Sequence, residues 1–432
     1  MKYLLAISLL FVLDVQAQSY KEVMLAVSNS LTLKSARQLE KAAYKNYDSV
    51  WDTQLPTLDA SLSYVRLNET PTITFYLPGV PPQLAPMGTK DRYVGELVLR
   101  YPLFTGFSQS AQVESAKLEA RKASLQVADL KRNLYLKASE LYGAVLALDN
   151  AIKAQKDAKE ALHSSYKKAK GLNEAGMLDD ADLYNIEAKF YEIESSITEL
   201  RSQRTKALAN ISYLVNEPVE SCEPLGQYDL LLDKNILVES AKQREDIRAL
   251  RSAMGIAQSQ VTLAQSRYYP GIGIAAALKH QGDTIELDGD GYMNADQSYI
   301  GAEAKWNLFS GLSDKRRIEA AKLQVLSAKT KLTDYTNRVL TDLNTSFQQL
   351  KALNIKRKSA VAQQKAQQAY YDLTKGRFDN QLAGADELSR ATADLAGANA
   401  QISTIDVHIF IMKVKILLQS GLESFSKAIV VN

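Results

Sequence analysis

Tyr101-Pro102-Leu103-Phe104-Thr105-Gly106-Phe107-Ser108 and Trp306-Asn307-Leu308-Phe309-Ser310-Gly311-Leu312-Ser313 decide the fold of this chain. In each stretch an alternating run ends on an aromatic residue and a Leu-Phe-hydroxyl-Gly corner follows. A long Ala/Leu/Lys/Glu-rich segment then begins. That is a strand handing over to a helix, written twice. The offset is 205 residues (311 − 106), and it persists: Val113–Leu118 answers Ile318–Leu323, Lys170-Gly171 answers Lys375-Gly376, and Leu183 answers Leu388. A register held that long is a duplication, so the chain reads as two halves of one design.

Proline placement supplies the outline. Prolines occur at 56, 71, 78, 81, 82, 86, 102, 218, 224 and 270, leaving Leu103–Glu217 and the chain beyond Gly271 free of helix blocks. The first repeat spans 18–216. A helix over Ser19–Gln54 is stopped by Pro56. A strand at about 58–67 alternates Leu58, Ala60, Leu62 and Tyr64 with Asp59, Ser61 and Ser63. Asn68–Asp91 reads as a loop. A second strand at about 93–101 sets Tyr93, Gly95, Leu97, Leu99 and Tyr101 against Glu96 and Arg100. Ser108 is the expected cap of a helix of roughly 90–100 Å, which needs partners along its whole length. Gly171 and Gly176 interrupt it, and Asp179 or Asp180 restarts a return helix, giving a hairpin with its tip near 171–180. A connector covers 217–240. The second repeat, 241–421, follows the same plan, with strands at about 271–280 and 299–306 and a tip near 376–384. Residues 422–432 form a tail.

The ends and the composition narrow the setting. Lys2, the apolar run Leu4–Leu13 and Val15-Gln16-Ala17 form a secretory signal over 1–17. Beyond it no apolar run is long enough for a membrane helix, since Lys413 and Lys415 break Ile409–Leu418. A net charge of +3 gives no electrostatic case for nucleic acid. Cys222 is the only cysteine, which excludes an internal disulfide and a thiolate metal cluster.

Four strands of about ten residues with one apolar and one polar face suit tilted crossings of a bilayer. Tyr93, Tyr101, Tyr299 and Trp306, with Phe104 and Phe309 just beyond, form the expected interfacial girdle. The competing reading is a soluble, half-buried sheet. Four strands do not close a barrel and an open edge is excluded from lipid, so a membrane barrel must be shared: eight strands for a dimer, twelve for a trimer.

With these corners, the segment Glu245-Asp246-Ile247-Arg248-Ala249-Leu250, the tip Asn173–Leu178 and the tandem halves, the chain resembles TolC-type outer-membrane efflux proteins over essentially its whole mature length. The resemblance implies a mainly α fold with a membrane β-barrel portion. Duplicated helix–strand–strand–hairpin halves would assemble as a homotrimer, with a periplasmic α-barrel under a shared 12-stranded β-barrel in outer-membrane lipid. It also implies a passive exit duct docked through a periplasmic adaptor onto an inner-membrane efflux pump or ABC exporter, with no catalysis and no cofactor. Carried over residue by residue, Gly176, Met177, Leu178, Gln381, Leu382 and Ala383 are the adaptor-facing tips, and Gln381 departs from the usual glycine. The acidic constriction falls on Glu387, with Asp182 at the equivalent place in the first half. Arg390 stands where a second carboxylate is usual and is read as tying the constriction shut. Tyr101, Phe104, Gly106, Trp306, Phe309 and Gly311 mark the junction of the β- and α-barrels.

Enzymatic chemistry finds no support in the pattern. His163, His280 and His408 are scattered, and no nucleophile–base pair is visible. Asp288-Gly289-Asp290-Gly291 lacks the rest of a calcium loop. The alternative reading is an exported oligomeric coiled-coil scaffold or adhesin, against which the duplicated strand pairs argue.

Overall fold

The computed structural model describes residues 17–177, 179–226, 228, 230, 232–287, 296–380 and 382–429, without the side chains at 182, 385 and 386. Residues 1–16 of the expected signal sequence (1–17) and Asp288–Gly291 lie outside the described residues.

The first helix expected as one span is two, α1 (Tyr20–Val27) and α2 (Leu31–Asp52). Hydroxyl chemistry between them explains the break. The Ser28 N–H closes α1 on Met24 O and Leu25 O, and Ser30 Oγ accepts from Leu33 N at the start of α2. The chain then enters β1 (Thr57–Arg66), β2 (Thr72–Phe75), β3 (Gln83–Pro86) and β4 (Asp91–Thr105). The stretch read as a loop therefore holds a small hairpin, in which Thr72–Phe75 has the period-two pattern that pairs with Gln83–Pro86.

Helix α3 (Ser108–Glu174) runs through Gly143 and Gly171 without interruption, so the expected stop at Gly171 is not used. Its opening cap is Thr105, whose hydroxyl accepts from Gln109 N at 3.2 Å, while Ser108 is already helical. The return helix is α4 (Asp180–Val215). The connector carries α5 (Lys234–Ala241), capped by Asp233 through the N–H groups of Asn235 and Ile236. Helix α6 (Glu245–Gln265) and a 3₁₀ turn (Ser266–Tyr268) lead to β5 (Gly271–Gly282) and β6 (Asp296–Lys305). Helices α7 (Ser313–Asp379) and α8 (Ala385–Gln419) form the second hairpin, and α9 (Leu422–Ile429) follows.

Two compact units result, and they cut across the sequence repeats. One comprises residues 39–123 and 249–332 and holds the strands of both repeats. Its main sheet is antiparallel in the order β1-β4-β5-β6, so the two strand pairs join at β4–β5. The other unit comprises 1–38, 124–248 and 333–432. In its core the ring of Tyr20 lies edge-on to Tyr142 at 5.3 Å and to Phe410 at 5.2 Å, with its hydroxyl 2.6 Å from Ser139 Oγ. Burying such a side chain contributes about 1.5–3 kcal/mol, and the buried hydroxyl is kept satisfied by its serine partner.

Candidate functional site

The strand register sorts the sheet into two chemically different faces. Rows Leu58–Leu99–Ala276–Ile300 and Ala60–Leu97–Leu278–Ser298 run across one face. Rows Asp59–Val98–Ala277–Tyr299 and Ser61–Glu96–Lys279–Gln297 run across the other. Leu58 is 68% exposed and Ile300 80%, so the apolar face is uncovered in the single chain. The polar face carries the Arg100–Asp59 ion pair at 2.7 Å. The register also corrects the expected girdle. Tyr93 and Tyr101 lie on the apolar face, but Tyr299 belongs to the Asp59 row, because a strand alternates sides at each residue.

At both corners the backbone takes the same course. Gly106 and Phe107 have φ of 63° and 71°, and Gly311 and Leu312 have 65° and 69°. Two successive left-handed residues turn the strand into the helix, and the second of each pair is a bulky side chain that pays strain there. Ala111 N then bonds to Phe107 O at 3.0 Å and Arg316 N to Leu312 O at 3.2 Å, one repeat apart. The corners differ on the strand side. Strand β4 continues through Pro102 and Phe104 to Thr105 with a register shift at Leu103, whereas β6 ends at Lys305. Asn307 Oδ1 instead takes the Phe309 N–H.

One short segment, with no periodic signal in the sequence, clamps both corners. Ser266–Tyr269 sets Tyr269 edge-on to Phe107 at 5.3 Å, and Tyr268 O accepts from Trp306 Nε1 at 3.1 Å. The only signal for it is the paired tyrosine before Pro270. Phe104 joins the same cluster at 5.3 Å from Phe107.

The hairpin turns also repeat. Met177 N bonds to Leu172 O and Leu382 N to Arg377 O, both at 2.8 Å and one offset apart. Gly176 has φ 72°, the left-handed position of a helix C-terminal turn. Met177 and Leu382 are exposed. Ala383 packs at the edge of a cluster of Leu162, Ala169, Ile186, Phe378 and Leu388, which joins the two hairpins. Lys168 reinforces that join, 3.3 Å from Asp379 and over the Phe378 ring. Leu178, Gln381 and the side chain of Asp182 lie outside the described residues. Half-buried Glu387 accepts from Arg377 Nη1 at 3.1 Å, and Arg377 Nη2 also holds Leu382 O at 3.2 Å. Arg390 lies exposed on α8, one turn beyond Glu387.

Deeper in the helical unit, Asp246 accepts from Arg244 Nη2 at 2.6 Å and from Tyr335 at 2.7 Å, with Arg132 Nη2 3.9 Å away. Burial works against its charge, but the bonds and charge of Arg244, the Tyr335 hydroxyl and Arg132 outweigh it and hold the carboxyl below the usual range. The Cys222 thiol is pushed up to about 12 by burial and then by the Asp149 charge, as expected of an inert packed cysteine. Among the described residues no helix is long and apolar enough to cross a membrane, and no His/Cys/Asp/Glu group has metal-binding geometry.

The comparisons point the same way. The model of the outer membrane efflux protein family matches residues 23–217 and 236–407. VceC, an outer membrane protein from the bacterial pathogen Vibrio cholerae, is similar over 95% of this chain and 95% of its own, at 15% identity and TM-score 0.77. The Campylobacter jejuni outer membrane channel CmeC is similar over 92% of this chain and 84% of its own, at 15% identity and TM-score 0.77. The open state of the Neisseria gonorrhoeae outer membrane channel MtrE aligns over 93% and 89%, at 16% identity and TM-score 0.74. Among curated proteins no significant match was found. These identities carry the fold alone, and the family match carries the rest. A duplicated chain that carries both a two-faced sheet and paired helical hairpins is an outer-membrane exit duct, and it belongs to the outer membrane efflux protein family.

Proposed function

We propose that three copies of this chain form one duct, in which the sheets close into a 12-stranded barrel and the hairpins form a periplasmic α-barrel. The observation that carries this reading is the four-stranded sheet with β1 and β6 at its edges and leucine and isoleucine uncovered on one face. Such edges and such a face are tolerable in lipid only when other strands complete the sheet. The polar rows of Ser61, Glu96, Lys279 and Gln297 then line water. Cargo passes by diffusion, no covalent step is catalysed, and the driving force comes from an inner-membrane efflux pump or ABC exporter engaged through a periplasmic adaptor at the tips.

Within that assembly Gly176, Met177, Leu178, Gln381, Leu382 and Ala383 form the adaptor-facing end. Glu387 and Asp182 narrow it, with Arg390 tying it shut, and Arg377 adds a second cation, bonded to Glu387. The test is extraction and conductance of the purified full chain. A detergent-dependent, heat-dissociable trimer that conducts ions across a planar bilayer is the expected result. Release by salt alone, with no conductance, would instead support the scaffold reading.

A further inference from the structure

The two corners share a backbone but not a charge. One offset apart, Gln109-Ser110-Ala111-Gln112 is replaced by Asp314-Lys315-Arg316-Arg317. Both quartets open a 67-residue helix after the same left-handed pair, so the turn closes with either. Three successive cations at a helix start face the positive end of its dipole, where acids are favoured. They oppose local helix stability, and the neutral first corner indicates that the turn does not require them.

Asp314 gathers one of them, Arg317, together with Arg267. It is 5% exposed, its Oδ1 accepts no hydrogen bond, and Arg267 Nη1 and Arg317 Nη1 each stand 3.7 Å from that oxygen. That separation is close enough for Coulombic attraction but beyond hydrogen-bond length. Two guanidinium groups are thus gathered around one buried carboxylate while their N–H donors are left uncommitted to it. Lys305, Lys315 and Arg316 are exposed nearby in sequence, as are Trp306, Leu308, Phe309 and Leu312. Exposed aromatic and aliphatic residues interspersed along the chain with exposed cations match the chemistry of a membrane–water boundary.

We propose that the second corner is a docking surface for anionic phospholipid headgroups of the phosphatidylglycerol type, in the leaflet that borders the helices. Arg267 and Arg317 take the phosphate, Lys315 and Arg316 add charge, and Trp306 and Phe309 sit at the acyl boundary. The claim rests on the membrane reading of the sheet. A trimer would carry three such sites alternating with three neutral corners, which fixes the depth of the duct at alternate points around its rim.

The test uses the full chain with Trp51→Phe, leaving Trp306 as its only tryptophan, reconstituted in phosphatidylcholine vesicles. Brominated phosphatidylglycerol and brominated phosphatidylcholine are compared as quenchers at equal mole fraction. The expected result is half-maximal quenching at no less than roughly fivefold lower phosphatidylglycerol, the least that one of these cations near an anionic surface supplies. R267Q/R316Q/R317Q should bring the two lipids to parity. K315Q/R316Q, which leaves both partners of Asp314 in place, should lose only part of the preference. Equal quenching in the parent protein would overturn the proposal, as would a preference surviving the triple substitution. Dissociation of the triple variant's trimer in lipid-free detergent would reassign the arginines to a contact between copies. If neither lipid quenched Trp306, the membrane reading itself would fail.

Discussion

A Cβ on Gly106 would stand 2.5 Å from the carbonyl oxygen of Ser266, although Gly311, its counterpart one repeat later, has nothing within 4 Å. Both are left-handed, so alanine at either is strained by about 1–2 kcal/mol. Only at Gly106 does overpacking against backbone add about 1–3 kcal/mol more. Gly106→Ala should therefore lower the yield of heat-stable trimer much further than Gly311→Ala. Gly311→Asn should approach the parent protein, because asparagine tolerates this conformation. Equal losses at the two positions would mean that Ser266 does not restrict the first corner.

Side-chain parity along β6 makes a second prediction. Ile300 stands on the apolar face and Gln297 on the polar one. Ile300→Lys should cost about 2–4 kcal/mol of barrel stability if that face meets lipid. Gln297→Lys should leave assembly intact and shift ion selectivity. Urea unfolding in micelles and reversal potentials in bilayers measure the two effects.

Asp246 gives the helical unit an acid-sensitive point. Its folded carboxyl is depressed, so it contributes stability above its unfolded value of about 4, and that contribution is lost as pH falls through the lower folded value. Asp246→Asn should flatten this part of the stability–pH curve. Asp246→Ala should cost about 3–5 kcal/mol at neutral pH by stranding the buried Arg244 guanidinium. Thermal unfolding across a pH series reads both.

At the tip, Arg377 bridges Glu387 and the carbonyl of Leu382, tying α7 to the start of α8. Arg377→Gln should release Glu387 and deepen block by divalent cations in single-channel recordings. Glu387→Gln should abolish the added block. Unchanged conductance and block in both variants would remove Glu387 from the constriction.

Backbone punctuation and alternation were legible in the sequence because they are local. Pro56, Pro270, Gly106 and Gly311 marked the ends of elements, and Leu97, Leu99 and Tyr101 revealed the apolar face. Tyr299 was misplaced because an aromatic near a strand end resembles a girdle until the register gives its parity. The Ser266–Tyr269 clamp and the Arg377 bridge were invisible for another reason. Each depends on which distant segments meet, and neither has a periodic signal. The break at Ser28–Ser30 lay hidden in cap chemistry that a helical pattern tolerates.

The way the repeats share both compact units has a consequence for the order of events during export. Tyr20, close to the start of the chain, packs on Phe410, and β4 of the first repeat finds its neighbour β5 some 170 residues later. Neither core can be completed by the first half of the chain. The leading half must therefore cross the inner membrane and wait, apolar strands exposed, until the trailing half arrives, and throughout that interval it is open to wrong pairing.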